Sequence, residues 1–112
     1  FISSISSVIG EAGLTSYSAA KGALNSFMLS LAKEVSPQGV RVNAILPGMV
    51  RTEMLDKFKE IYTDEYLEVV NNEYPFGIGT PDDISGPAAF LMSDNSTWIT
   101  GACLKVDGGA TL

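Results

Sequence analysis

Residues 16–46 read SYSAAKGALNSFMLSLAKEVSPQGVRVNAIL, and the way this stretch divides decides the fold. Over residues 16–36, Ala19, Ala20, Ala23, Leu24, Phe27, Met28, Leu31 and Ala32 recur at helical spacing among good helix formers, which predicts an α-helix. Pro37 and Gly39 end it. The run over residues 39–46, GVRVNAIL, is rich in β-formers and is closed by Pro47-Gly48, so it predicts a strand. Upstream, the opening FISSIS is short, apolar and β-branched like the end of a buried strand, and VIGEAGLTS after it carries the glycine and serine of a loop. Strand, helix, strand is the order of a parallel βαβ unit with a right-handed crossover, so the expected class is α/β.

Beyond this unit, Met54, Leu55, Phe58, Ile61, Tyr62, Tyr66 and Leu67 are spaced as in one or two amphipathic helices, and residues 54–74 are expected to form a mobile, apolar and aromatic cover. At TPDDISGPAAFLMS, Thr80 is placed to be an N-cap, Pro81 the first helical residue, and Asp82 and Asp83 the acids of the first turn, where the helix dipole favours anions. The GIG of residues 77–79 follows no strand, so it reads as loop and not as a dinucleotide fingerprint. Near the end, ACLKVD predicts a short buried strand and Gly108-Gly109 a tight turn. Cys103 is expected in the core of that strand and Trp98 packed near it, neither with a catalytic role.

The chain has 112 residues, 46% of them hydrophobic, which suits one domain and is too short for two. A net charge of −6 excludes an electrostatic grip on nucleic acid or an anionic membrane surface, leaving small molecules and protein surfaces as partners. A single cysteine and no histidine offer neither a disulfide framework nor a ready set of metal ligands, and suit a reducing, cytoplasmic setting. No apolar run approaches the roughly 18 residues of a membrane span, and the opening residues lack the basic start of a signal peptide. The chain opens at Phe1, already inside an apolar segment, as though an upstream part were missing.

Tyr17 and Lys21 lie four residues apart, so on a helix they leave the same face one turn apart. A phenol ionises near a pH of about 10, and a neighbouring ammonium favours the phenolate, which makes the pair suited to passing a proton at neutral pH. A hydroxyl from the strand end before the helix could hold a substrate oxygen beside it. By itself the pair is weak evidence, because any helix can place Tyr and Lys at that interval. The bland readings are a half-buried tyrosine, a solvated lysine and a serine that caps a strand end.

Taken together and in order, ISS, YSAAKGAL, RVNAILPGMVRTEM, TPDDI and ITGACLKVDGG resemble the short-chain dehydrogenase/reductase family, and the resemblance covers essentially the whole chain. It implies the C-terminal half of a Rossmann-type doubly wound parallel sheet. It also implies hydride transfer between NAD or NADP and a carbonyl or alcohol, most typically in a 3-oxoacyl-carrier-protein reductase-like or small alcohol or ketone dehydrogenase role. In that family the catalytic Ser lies 13 positions before the Tyr, and counting back from Tyr17 reaches Ser4. Ser7, at ten positions, ranks second, and Ser3 and Ser6 read as ordinary hydroxyls bonded to nearby backbone. Ser4 would hold the substrate oxygen, Tyr17 would pass the proton, and Lys21 would favour the phenolate while binding the nicotinamide ribose. Pro47, Gly48, Val50 and Thr52 of PGMVRT would close over the nicotinamide, with Asn43 structuring the site from its strand. For Pro47-Gly48 the bland reading is a turn, and for Thr52 a helix N-cap.

Two departures stand out. The family's glycine-rich phosphate-binding turn and the Asn of its catalytic set belong to an upstream half with no counterpart here, so this chain is expected to be part of an enzyme more than twice as long and inactive alone. PFGIGTP is one residue shorter than the family's usual loop and lacks its Arg. The resemblance further implies a homotetramer or homodimer built partly on the helix of residues 17–36 and the last strand. A different reading is a catalytically silent scaffold that keeps the fold, and a third is a free-standing small α/β domain.

Overall fold

The computed structural model describes residues 1–112 and places the sheet around one central strand. A first strand, β1 (Ala44–Pro47), pairs in parallel with β2 (Cys103–Val106), with Ala44 opposite Cys103 and Pro47 opposite Val106. On its other side β1 meets residues 1–3: the Ile45 amide donates to the Phe1 carbonyl at 3.0 Å and the Ser3 amide to the Ile45 carbonyl at 2.8 Å. All three segments run the same way, as the α/β expectation required.

The connection from the first segment to β1 is α1 (Thr15–Val35), close to the predicted limits. No side chain caps its start, and it ends at Val35, where Ser36-Pro37 turns the chain and Gly39 takes a left-handed φ of 77°. Met28 and Ala32 of α1 are buried against the sheet, where Met28 packs with Ile5, Ala44 and Leu46. Successive residues of a strand face opposite ways, so Ile45, between Ala44 and Leu46, points to the other face. There it lines an apolar trough of about 320 Å³ with Ala88 and Leu91 of a later helix, α4 (Pro81–Met92). The sheet thus carries α1 on one face and α4 on the other, the layering of a doubly wound fold.

Between β1 and α4 run α2 (Glu53–Lys57) and α3 (Asp64–Glu73), the predicted cover. It has a small core of its own, in which Leu55, Leu67, Val70 and Ile78 pack together with Met49, Tyr62 and Tyr74 at the rim. Helix α4 begins at Thr80, as predicted, with the Asp83 carboxylate accepting from the Thr80 amide at 2.7 Å and its hydroxyl at 2.8 Å. Gly108 and Gly109 both take positive φ in the turn after β2.

Three expectations fail. The strand after α1 begins at Ala44 and not Gly39, because the backbone before it is engaged by the segment ahead of β2: the Val42 amide donates to the Thr100 hydroxyl and the Gly101 amide to the Val42 carbonyl. β2 is an exposed edge, not a buried strand, and Cys103 is exposed with it. Trp98 is 99% exposed and packs on nothing.

Candidate active site

Three chain segments reach the carboxyl end of the parallel sheet: the serine turn after residues 1–3, residues 48–52 after β1, and residues 107–109 after β2. In an open α/β sheet this is the end where backbone groups not used in the ladder can meet a ligand.

Ser4 is buried and starts a single 3₁₀ turn over Ile5–Ser7. The Ser3 hydroxyl donates to the Lys21 carbonyl at 3.2 Å, and the Lys21 ammonium donates to the Ile2 carbonyl at 3.0 Å. Both bonds clamp the chain just before Ser4 to the N-terminal third of α1. Lys21 also lies over the Tyr17 ring, 5.7 Å from its centroid, as the four-residue spacing predicted. Tyr17 is 44% exposed, and none of the bonds between the serine turn and α1 uses its hydroxyl. An ammonium has three N–H donors, so the bond to Ile2 leaves Lys21 two.

Ser7 is differently employed. Its hydroxyl donates to the Ser4 carbonyl at 2.5 Å and accepts from the Asn25 amide group at 2.7 Å, so it braces the turn against α1. Ser3 bonds to backbone as expected, but Ser6 does not: its hydroxyl donates to the Glu11 carboxylate.

Pro47 closes β1, and the Gly48 amide donates to the Val106 carbonyl at 3.0 Å. Gly48 is more than a turn residue. A Cβ there would stand 3.0 Å from the Asp107 Cα and 3.0 Å from the Tyr74 ring, so any larger residue would have to push these neighbours back by a few tenths of an ångström. Two residues on, Val50 bridges in parallel to Gly79, whose amide donates to the Met49 carbonyl at 3.0 Å and whose carbonyl accepts from the Arg51 amide at 2.8 Å. In a parallel bridge of this kind the amide and carbonyl of the intervening Val50 point the other way. Thr52 occupies the N-cap position of α2, yet its side chain makes no capping bond. The loop therefore presents a backbone donor, a backbone acceptor and a hydroxyl that the chain does not use, a set that fits the edge of a carboxamide.

Asn43 lies just ahead of β1 and not within it, and its side chain donates to the Ile99 carbonyl at 3.0 Å and accepts from the Ala102 amide at 3.0 Å, so it braces the amino end of the sheet where it was expected to structure the site. Sequence reasoning missed Tyr74, at the end of α3, whose hydroxyl accepts from the Met49 amide at 3.2 Å. Burial pushes this hydroxyl above the ordinary tyrosine range, the Met49 bond works against the shift, and the charges of Glu11 and Asp107 add to it. Tyr74 thus ties the cover to the loop, with the Glu11 carboxylate nearby. No sequence pattern marks it. The apolar trough described above and a second cleft of about 260 Å³ beside Val50 and Gly79 both exclude Ser4, Tyr17 and Lys21, so concavity alone does not find these residues.

A family model described as enoyl-(acyl carrier protein) reductase matches residues 1–111. The chain is 43% identical over 112 residues to an uncharacterized oxidoreductase, YmfI, of Bacillus subtilis, covering 96% of this chain and 45% of that protein. It is 42% identical over 109 residues to the 3-oxoacyl-[acyl-carrier-protein] reductase FabG of Chlamydia trachomatis, covering 96% and 42%. Among solved structures, an oxidoreductase of the short chain dehydrogenase/reductase family from Burkholderia thailandensis superposes with a TM-score of 0.89 at 39% identity, over 97% of this chain and 42% of that one. A 4-hydroxyisoleucine dehydrogenase complexed with NADH gives 0.88 at 32% identity, over 98% and 45%. The chain spans about half the length of the curated relatives it matches. No helix is long and apolar enough to cross a membrane.

Proposed function

This chain belongs to the short-chain dehydrogenase/reductase family, and on that premise we propose that it carries the substrate-facing, proton-transferring part of an NAD(P)-dependent oxidoreductase acting on a carbonyl or alcohol. The observation that carries the reading is the juxtaposition of Lys21 with Tyr17, with Lys21 clamped to the segment that leads into Ser4.

When bound, the nicotinamide gives or takes the hydride at the substrate carbon. The chain's residues handle the oxygen. Ser4 binds and orients it, and the exposed Tyr17 hydroxyl passes it a proton in reduction or takes one in oxidation. Lys21, anchored on the Ile2 carbonyl, uses its remaining N–H donors on the nicotinamide ribose. Pro47 and Gly48 set the path of the loop, while the Val50 backbone and the Thr52 hydroxyl hold the carboxamide.

Residues 1–112 are, in this reading, the C-terminal part of one Rossmann domain, whose other part supplies the phosphate-binding turn and covers the apolar trough beside Phe1, Ile2 and Ile45. Ser4 is placed above Ser7 on spacing, 13 positions before Tyr17 against ten, since both hydroxyls are engaged as donor and acceptor within the turn or against α1. A homodimer or homotetramer is part of the same reading, since Ala19, Ala20, Ala23 and Phe27 leave an apolar stripe exposed on α1. So is a reducing cytoplasmic setting, which suits the free Cys103.

The test is a nicotinamide-linked assay of the native protein over a panel of ketones and alcohols. Tyr17→Phe is expected to lower kcat by about 10²- to 10⁴-fold, the usual worth of a positioned general acid. Ser4→Ala should lower turnover far more than Ser7→Ala. Undiminished turnover in Tyr17→Phe would overturn the reading, and a protein that retains its cellular role with Tyr17→Phe would be the silent scaffold.

A further inference from the structure

The end of α3 reaches both sides of the bridge that pairs Val50 with Gly79. Asn71, in the last turn of the helix, accepts from the Ile78 amide at 3.0 Å through its side-chain oxygen. Tyr74, the residue that caps the helix, accepts from the Met49 amide at 3.2 Å through its hydroxyl. Ile78 precedes Gly79 and Met49 precedes Val50, so each bond holds the residue just ahead of a bridge partner. A parallel ladder continued by one rung would carry the Met49 amide to the Gly77 carbonyl. Gly77 instead turns the chain away with a left-handed φ of 70°, and the Tyr74 hydroxyl takes the amide in its place. Asn71 is fitted to that turn, since a Cβ on Gly77 would stand 2.9 Å from its Oδ1. Two side chains of the cover therefore close off the pairing at one residue and leave it a single register.

We propose that Asn71 and Tyr74 are positioning residues for the coenzyme: by fixing the pairing of Val50 with Gly79 they let the loop tell a carboxamide from a group of the same shape that lacks its N–H donors. The bridge spends the Met49 carbonyl and the Arg51 amide on Gly79, which turns the Val50 amide and carbonyl the other way. A carboxamide needs both, one to donate to its oxygen and one to accept from its nitrogen. A slip of one residue would withdraw both together. Asn71 and Tyr74 act through the loop and not on the coenzyme itself. This inference rests on the proposed binding of the carboxamide by the Val50 backbone.

The experiment titrates the native protein calorimetrically with NAD and NADP and with the 3-acetylpyridine analogue of each, in which a methyl ketone replaces the carboxamide. Dissociation constants are compared in wild type, Tyr74→Phe, Asn71→Ala and Asn71→Asp, with thermal midpoints as a check on folding. Tyr74→Phe removes one oxygen and leaves the ring against Gly48, so the loop loses its tie and keeps its packing. The preference for the carboxamide coenzyme over its analogue is expected to fall about three- to tenfold in Tyr74→Phe and in Asn71→Ala, the worth of one net hydrogen bond. Asn71→Asp keeps an acceptor for the Ile78 amide and should retain the wild-type preference. Equal weakening of coenzyme and analogue would assign both residues a merely structural role and overturn the proposal, as would a preference that neither variant moves. If turnover collapses in Tyr17→Phe while the preference ignores Tyr74 and Asn71, the oxidoreductase reading stands and the clamp falls. If the wild type binds neither coenzyme, both fall together.

Discussion

Gly48→Ala tests whether the loop after β1 is fixed by close packing. The new Cβ would meet the Asp107 Cα at 3.0 Å, the Tyr74 Cε2 at 3.0 Å and the Asp107 Cβ at 3.1 Å. One of these is backbone and another is a ring held by its bond to the Met49 amide, so neither gives way cheaply. Forcing one carbon into such a site costs about 1–3 kcal/mol. An opposing effect acts through the unfolded chain, because Gly48 does not have a positive φ and alanine would lose about 0.4–1 kcal/mol less on folding. Packing wins, and the net loss should be about 1–2 kcal/mol. Urea denaturation of the native protein measures it, with Gly10→Ala as the control: a Cβ at Gly10 meets nothing within 4 Å, so that variant should be unchanged or slightly more stable. Because residues 47–52 would move with Gly48, the coenzyme KM should rise in Gly48→Ala more than kcat falls. A Gly48→Ala protein as stable as Gly10→Ala, with its coenzyme KM intact, would show that the turn at Asp107 yields freely and that close approach is not why glycine stands there.

Gly86 lies inside α4 with open space where a Cβ would be, so Gly86→Ala should stabilise the protein by about 0.8–1 kcal/mol in the same titration; a loss would mean that something packs there. Met28 is fully buried between α1 and the sheet, and Met28→Ala should cost about 2–5 kcal/mol, read as a lower denaturation midpoint at an unchanged slope. Burial works against the ionised form of Asp107, but hydrogen bonds from Thr111 and Gly109 and the charge of Lys105 outweigh it and hold the carboxyl below its ordinary range. A depressed carboxyl stabilises the fold above its unfolded value of about 3.9 and stops doing so as pH falls through its folded value. Thr111→Val should therefore destabilise the protein at about pH 7 by an amount that shrinks on titration to strong acid, and a deficit independent of pH would contradict this.

The element order was legible because its punctuation is local. Pro37 and Gly39 stop α1, and Thr80, Pro81 and Asp83 start α4, through backbone preferences that neighbours in sequence impose. The pairing of Tyr17 with Lys21 was legible for the same reason, being a matter of helix pitch. What escaped depends on groups distant in sequence. Arg41 donates to the Ile99 and Ser93 carbonyls and Asn43 to Ile99, so the run RVN is tied down by side chains where its composition promised a ladder. Cys103 looked like a core residue because its strand is apolar, yet exposure is decided by which elements flank that strand, and β2 pairs on one side alone. Ser6 was misjudged at short range, since nothing in the spacing told whether its proton would go to backbone or to Glu11.

The unused backbone of Val50 depends on a register set elsewhere. A slip of one residue in the pairing with Gly79 would turn the amide and carbonyl of Val50 inward and present those of Met49 or Arg51 instead. The bridge is a single residue long and cannot hold its own register. Ile78, next to Gly79, is buried with Leu55, Leu67 and Val70, and its amide donates to the Asn71 side chain at 3.0 Å. On the other strand of the bridge, the Met49 amide is held by Tyr74. Both anchors belong to the cover. The packing of α2 and α3 thus decides which backbone groups residues 48–52 present at the carboxyl end of the sheet, and a cavity made at Leu67 or Val70 would disturb the coenzyme contacts proposed for that loop, although neither side chain is part of it. Leu67→Ala should accordingly raise the coenzyme KM as well as lower stability, whereas Met28→Ala, which cuts the other core, should lower stability and leave that KM unchanged.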